Sequence, residues 1–442
     1  MPEAENARSK VRPLPDTPPG YAAHPPRRVV ITGLGAMTPL GATVAELWQG
    51  MLKGHCGVHT LLDEEFAEQP VRIAATAPDP ASRLPRSRAR RMNRAAQFAV
   101  LAAQEAWQDA GFDPAGTVPS GLAPDRVGVS MGTIIGGTPV MVASDRTLRA
   151  KGPRGVSPLT NPMTVPSQAA SQISLDLHIT GEARTVTSAC ASGTEAIGQA
   201  IDRIRHGHLD VVLAGGAEAV ITPVVMAAFA AMRALSTRND DPASASRPFD
   251  RNRDGFVCGE GAGVLVLESE EHARARGARV YCEAAGWGLS ADAHHIAAPD
   301  ATGAGIALAL RHALADAGAP AASVAHVNAH ATATVEGDRA EALAMCEVLD
   351  GQTSYGPVPV TASKGHFGHM QGAAGGVEAI VTALTLSEAL IPPTLGCDDP
   401  EEGLGLDIVT GAPRPLPPAD VALSSSFGFG GHNAVLALRR CS

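Results

Sequence analysis

Short apolar runs alternate with longer alanine-rich stretches along most of this chain. Val29-Val30-Ile31 reads as a brief strand that ends at Gly33. Further apolar runs predict strands over 126–131, 185–188, 211–214, 264–267, 327–329, 358–362 and 434–438. Between them, apolar residues recur at helical spacing and predict helices over 88–110, 193–205, 305–317, 339–349 and 375–389. Strands alternating with helices in this way define an α/β protein whose sheets are covered by helices.

The pattern carries a weak internal echo. TVTSACASGTEAI in the first half and VPVTASKGHFGHMQGAAGGVEAI in the second each run from a strand through a turn into an Ala/Gly-rich helix. DVVLAGGAEA and DVALSSSFGFGG form a second such pair. Two related halves meeting near Gly277 would bring two strand-to-helix turns face to face. Ahead of the first strand, Pro13, Pro15, Pro18, Pro19, Pro25 and Pro26 lie among mixed charges and predict a flexible, surface-draped arm. The expected organisation is an arm over 1–27, a first half over 28–277 and a second half over 278–442.

Composition narrows the function classes. At 442 residues the chain is too long for one small core, and 45% hydrophobic residues with only 18% charged ones exclude global disorder. A net charge of −10 and 3% aromatic residues argue against a nucleic-acid binder that relies on basic patches and base stacking. No apolar run reaches the ~18 residues of a membrane span, and the polar start predicts no secretory signal. The seven cysteines are odd in number, widely spaced and free of any C-x-x-C, so neither a disulfide scaffold nor a zinc ribbon is expected. A reduced, cytoplasmic protein follows.

Two motifs mislead. GLGAMT at Gly33–Thr38 resembles a dinucleotide-binding turn, but Thr38 stands where the third glycine belongs and Pro39 follows, so a tight strand-to-loop turn is the reading. GVSMG at Gly128–Gly132 matches the G-x-S-x-G elbow of hydrolases. That elbow leads straight into a helix, whereas TIIGGTP follows here, and a hydrolase acting through Ser130 is the weaker enzyme class.

Cys190 is placed differently, after the strand TVT and before the helix GTEAIGQAIDRI. A cysteine at a helix N-terminus meets unpaired N–H groups and the positive end of the dipole, both of which favour thiolate. Its small neighbours leave room for an acyl thioester; the plain alternative is a buried apolar thiol. His330 follows a short strand in VNAHATAT, and His369 stands just before an Ala/Gly-rich helix, with Lys364 five residues earlier and Glu378 inside the helix. His366 and His369 suggest a metal pair, but no third ligand stands nearby, and no metal is expected. SSSFGFGGHNA puts two phenylalanines in a glycine frame, as a hinged aromatic flap or a rigid turn would. Arg83, Arg86, Arg88, Arg90, Arg91 and Arg94 cluster without an intervening acid, which in a net-acidic chain points to an anionic partner or to a solvated helix face.

Together, SACASG around Cys190, NAHATAT around His330, K-x-x-x-G-H-x-x-G-A-A-G from Lys364 and SFGFGGHNA resemble the elongating type II class of β-ketoacyl-[acyl carrier protein] synthases, with mycobacterial long-chain ketosynthases nearest. RPFDRNRDGFVCGEGAG and the stretch from Ser290 to Pro299 add to the resemblance, which spans 28–440. It implies a thiolase-like fold, two similar α/β halves in a five-layered αβαβα core. It implies no cofactor, because the substrates ride on the phosphopantetheine of acyl carrier protein. The implied partners are that carrier and a second subunit, identical or a related ketosynthase-like chain.

The resemblance also implies roles. Cys190 takes the growing acyl chain, and its oxyanion lies between the N–H groups of Cys190 and Phe429. His330 and His369 donate to the malonyl thioester carbonyl, as neutral or protonated rings, while carbon dioxide leaves. Lys364 pairs with Glu378 and shapes the field around His369. Thr332 and Thr334 hold the pantetheine arm, Phe429 gates the chain, and Arg90 and Arg91 lie on the basic helix that docks the carrier. The reaction implied is decarboxylative condensation in fatty-acid elongation; the alternative is the ketosynthase subunit of a type II polyketide synthase with a chain-length-factor partner. A non-catalytic partner subunit is disfavoured, since such chains typically lack the cysteine. Three departures bear on substrate class: Ala333 in place of glycine, Ser425 in place of asparagine, and Gly365-His366 after the lysine.

Overall fold

The computed structural model describes residues 26–113, 122–349, 353 and 355–441. The arm expected over 1–27 lies outside the described residues except for Pro26 and Arg27. Among the described residues, no helix is long and apolar enough to cross a membrane.

The core is one 11-stranded mixed sheet whose strand order repeats itself about its middle. The first half contributes Val29–Met37, Val127–Gly132, Ala183–Val186, Val211–Glu218 and Gly261–Ser269. The second contributes Cys282–Ala291, Val324–Asn328, Pro359–Thr361, Val421–Gly428 and His432–Arg439. Moving outward from the middle, each half runs first, fifth, fourth, second, third strand, and the short Asp407–Ile408 extends the second half at its edge. The halves meet through a short antiparallel pairing of Val30 with Glu283 and Ile31 with Cys282.

Helices complete the layers. Arg94–Asp109 covers the outer face of the first half and Ala304–Asp316 that of the second. Ser192–Arg205 and Ala374–Glu388 pack against each other between the two halves, which makes five layers. Ala374–Glu388 is buried all round from Ala374 to Leu386, as an apolar helix without a polar face must be. Its glycines let backbones touch: a Cβ on Gly375 would lie 2.5 Å from the Thr194 nitrogen, and one on Gly376 would lie 2.4 Å from the Gly263 oxygen.

Several expectations change. The segment Gly33–Met37 is not a turn but continues the first strand. Its glycines serve close packing, since a Cβ at Gly35 would stand 1.9 Å from the Ala102 carbonyl of the covering helix. The helix expected over 88–110 is two helices, Arg86–Ala89 and Arg94–Asp109, because the Asn93 side chain accepts from Ala96 N–H and starts the second one afresh. Arg90 and Arg91 therefore lie in the turn between helices. The strand before Cys190 ends at Val186, short of the expected 188.

Candidate active site

The strand Ala183–Val186 delivers Cys190 to the start of Ser192–Arg205 through a tight turn. Ala189 adopts φ 51°, in the left-handed region. Ser192 locks the turn: Ser188 N–H donates to its hydroxyl at 2.9 Å, and that hydroxyl donates to the Ala189 carbonyl at 2.6 Å. A non-glycine residue held there costs about 1–2 kcal/mol, which this local bonding offsets.

The second half supplies the imidazoles. His369 Nε2 stands 3.0 Å from Cys190 Sγ. The His330 and His369 rings meet edge to face, 5.3 Å between centroids. Each is fixed by backbone: Glu341 accepts from the N–H groups of His330 and Ala331 at 2.8 and 2.7 Å, and His369 N–H donates to the Val257 carbonyl at 2.7 Å. Behind them Lys364 and Glu378 form a fully buried ion pair, and Lys364 Nζ lies 3.3 Å from His330 Nδ1. A lysine amine carries only donors when protonated, so Nδ1 must accept and the His330 proton must sit on Nε2. His369 is not pinned in this way, because its Nδ1 has no hydrogen-bond partner among the described residues.

The electrostatics correct the expectation that the helix terminus makes Cys190 a thiolate. Burial dominates and pushes its pKa up to about 12, against the pull of Lys364 and of the backbone N–H groups of Phe429 and Cys190 itself. Burial, followed by the positive charge of Lys364, pushes both His330 and His369 well below the usual histidine range. The site thus holds a neutral thiol beside neutral imidazoles. Nε2 of His369 stands within hydrogen-bond reach of the thiol, where an imidazole can accept its proton.

A cavity of about 500 Å³ gathers Cys190, His330, His369, Thr332, Thr334 and Phe429 on its walls. The two threonine hydroxyls lie 3.0 Å apart. Lys364 and Glu378 stand behind the wall. Phe429 is half-buried in the turn between Val421–Gly428 and His432–Arg439, its ring 6.4 Å from that of Phe229. Gly428 brings this turn onto the nucleophile: a Cβ there would lie 2.9 Å from both Cys190 N and Ser188 O.

Arg90 and Arg91 are exposed and apart from this cavity; Arg90 borders a second one of about 510 Å³. Their neighbours are tied internally, Arg88 to Asp176 at 2.6 Å and Arg94 to Glu260 at 2.6 Å. His366 does not join His369, since its ring nitrogens face the carbonyls of His55 and Pro393 at 3.0 and 2.8 Å. Ser130 is buried inside a strand and donates to the Ala196 carbonyl at 2.8 Å, so it presents no nucleophile.

Of the departures, Gly365 alone has a structural reason. Ala333 sits at φ 68°, a conformation in which glycine is unstrained. Gly365 is required by the Leu395 carbonyl, 2.2 Å from where its Cβ would lie. Ser425 is buried with an unpartnered hydroxyl.

Three residues of the site escape the sequence reading. Glu341 is one; burial pushes its carboxyl up to about 8. Glu218 is another, raised to about 7 by burial, and it accepts from Ile134 N–H at 2.5 Å and the Thr133 hydroxyl at 3.1 Å. The third is Gln371, whose Oε1 lies 3.6 Å from Cys190 Sγ. Glu218 carries one sequence signal, a carboxylate inside the small-residue run AGGAEA, whereas Glu341 in GDRAEA stands among other charges and carries none.

A thiol at a helix start, facing two imidazoles across a cavity between two like halves, defines a thioester-handling enzyme. The chain belongs to the beta-ketoacyl synthase family: that family's N-terminal domain matches residues 26–273 and its C-terminal domain residues 281–398. It is 41% identical over 416 residues to the 3-oxoacyl-[acyl-carrier-protein] synthase 2 of a Synechocystis strain, covering 94% of this chain and 98% of that one. The protein of the same name from Vibrio cholerae is 40% identical, with 94% and 99% covered. Among solved structures, a beta-ketoacyl synthase from Burkholderia phymatum is 36% identical with a TM-score of 0.85, covering 94% of this chain and all 100% of that one. The ishigamide ketosynthase/chain length factor is 33% identical with a TM-score of 0.85 and the same coverage. The fold is thiolase-like.

Proposed function

We propose that the chain is a 3-oxoacyl-[acyl-carrier-protein] synthase, an acyltransferase that lengthens a carrier-bound acyl chain by decarboxylative condensation with a malonyl thioester. The single observation that carries this reading is the 3.0 Å contact between Cys190 Sγ and His369 Nε2, with His330 beside it in the same cavity. A division into halves at 277/278, with the nucleophile in the first and the imidazoles in the second, is supported by the repeated strand order.

Cys190 gives its proton to His369 Nε2 and attacks the carbonyl carbon of an acyl-phosphopantetheine thioester. The tetrahedral oxyanion is held by the N–H groups of Cys190 and Phe429. The carbon–sulfur bond to pantetheine breaks, and the leaving thiol takes the proton back from His369. Malonyl-carrier then enters, its arm against Thr332 and Thr334. Nε2–H of His330, fixed by Lys364, donates to the thioester oxygen, and His369 joins it once its single proton has passed from Nδ1 to Nε2, a tautomer change that the absence of an Nδ1 partner among the described residues allows. The carboxylate leaves as carbon dioxide and its bonding electrons form an enolate, so no strong base is needed. The enolate carbon attacks acyl-Cys190, and the sulfur departs from a 3-oxoacyl thioester two carbons longer. No step calls on a resident cofactor or metal, and the reaction suits the cytoplasm.

Arg90 and Arg91 are exposed and are assigned to the acidic carrier, and Phe429 to the gate. The helix Thr138–Lys151 buries none of its side chains and exposes Met141 and Leu148, each at 43%, which supports a second subunit there. One solved relative, 29% identical with a TM-score of 0.86, is a type II polyketide ketosynthase in complex with its acyl-carrier protein. A second reading, the ketosynthase subunit of such a polyketide system with a chain-length-factor partner, uses the same steps and differs in what Cys190 carries. It is favoured by the amide of Gln371 beside the sulfur, where a hydrocarbon chain has no use for one.

Mass spectrometry after incubation with acyl-carrier should find the acyl mass on the Cys190 peptide. Cys190→Gln should abolish condensation and leave carbon dioxide release from malonyl-carrier measurable. Acylation elsewhere, or a folded Cys190→Gln protein that releases no carbon dioxide, overturns the roles given to Cys190 and the histidines.

A further inference from the structure

Gln371 is 1% exposed, adopts φ 52° and lines the reaction cavity. Its Oε1 lies 3.6 Å from Cys190 Sγ, and its Nε2 has no hydrogen-bond partner among the described residues. The thiol owns one hydrogen. Directed at His369 Nε2, 3.0 Å away, it leaves none for the amide. Whichever end of the carboxamide faces sulfur, part of its hydrogen-bonding capacity is unused in the unloaded site. A buried polar group without a partner is costly, and a left-handed backbone at a non-glycine residue adds strain. A leucine or methionine of similar size would avoid the first cost.

What enters this cavity is an acyl group bonded to that same sulfur. The first carbons of the chain must pass beside an amide already in contact with sulfur. The thioester oxygen is taken by the N–H groups of Cys190 and Phe429, so the acceptor left for Gln371 lies further along the chain. We infer that Gln371 is a specificity determinant that donates Nε2–H to an oxygen on C3 of the acyl group held on Cys190, and so selects 3-oxo- or 3-hydroxyacyl chains over saturated ones. This rests on Cys190 being the acylated nucleophile. A saturated chain leaves the amide unpaired at its side, and a site built to bond an oxygen rejects the analogue that lacks it.

The test compares acylation of Cys190 by N-acetylcysteamine thioesters of butanoate, 3-hydroxybutanoate and 3-oxobutanoate, followed by mass spectrometry in the full-length protein. Wild type should be acylated at least about ten-fold faster by the 3-oxygenated pair, as one hydrogen bond to a buried amide warrants. Gln371→Leu should lose that ratio while its butanoate rate holds or rises; Gln371→Met serves if the leucine variant does not fold. Equal wild-type rates for all three thioesters overturn the inference. So does a Gln371→Leu protein that slows equally with all three, which marks a structural or sulfur-directed role. Failure of any thioester to label Cys190 overturns the underlying reaction instead.

Discussion

Replacing Lys364 by Met and Glu378 by Leu, singly and together, isolates the work of the ion pair behind the histidines. Both side chains are 0% exposed. Lys364→Met alone strips the counter-charge from a buried carboxyl and costs about 3–5 kcal/mol. The cost is lower to the extent that Glu378, which burial raises to about 7, takes up a proton instead. The double variant replaces two charges by apolar groups of similar volume, a change that is neutral or stabilising by about 1–4 kcal/mol. Folding therefore survives in the double variant and chemistry can be read from it. Without Lys364, nothing holds the His330 proton on Nε2, and one of two donors to the enolate oxygen is lost. Loss of one such donor lowers the rate by about 10²–10³-fold. The assay is carbon dioxide release from malonyl-carrier in a Cys190→Gln background. Acylation of Cys190, measured with the cysteine intact, should fall less, because Lys364 acts on sulfur only through space. A folded double variant that releases carbon dioxide at the rate of its parent refutes the assignment of Lys364 as the group that orients the His330 proton.

Three more outcomes are expected. His326 is wholly buried with both ring nitrogens unpartnered, and burial lowers its pKa to about 3. The unfolded chain binds its proton near pH 6.5 and the folded one does not, so stability is lost as pH falls below 6.5; His326→Leu should flatten the acid limb by about 1.4 kcal/mol per pH unit in melts between pH 6 and 4, and an unchanged limb counts against it. Gly428→Ala pushes the Phe429 turn off Cys190, where only 2.9 Å is available; acylation should slow by about 10²-fold or more with the melting temperature nearly kept, and unimpaired acylation removes Phe429 N–H from the oxyanion site. Arg90→Glu with Arg91→Glu should raise KM for carrier-borne substrate, in a salt-dependent way, and leave KM for a pantetheine thioester alone; equal effects on both would remove these arginines from carrier docking.

The side chains that meet in the candidate cavity are largely legible in the sequence because they sit in short local motifs. A cysteine between a strand and a small-residue helix announces itself, and so do histidines after strands in glycine and alanine surroundings. What the chain did not disclose depends on burial. The dipole at Cys190 is visible in sequence, but the desolvation that overrides it is not. Glu218, Glu341 and Gln371 have no motif of their own and gain meaning only from the N–H groups and sulfur they meet in three dimensions. Gly33 and Gly35 read as a turn in the sequence because glycine signals both turns and close contacts, and only the helix above the strand decides between them. The strand Cys282–Ala291 went unread because its CEAAGWGLSA sequence is poor in β-branched residues; its pairing with His432–Arg439 forms it regardless.

The glycine-lined contact between the two central helices acts as a spacer of fixed thickness. Sulfur and imidazoles reach the cavity from opposite sides of it, and main chain resting on main chain sets their separation. Side-chain drift in the outer layers can therefore alter chain length, partner or gating without retuning the distance across which bonds are made. A single added methyl at Gly375, which faces Thr194 of the opposing helix, has no such licence, because it would open the reaction centre itself.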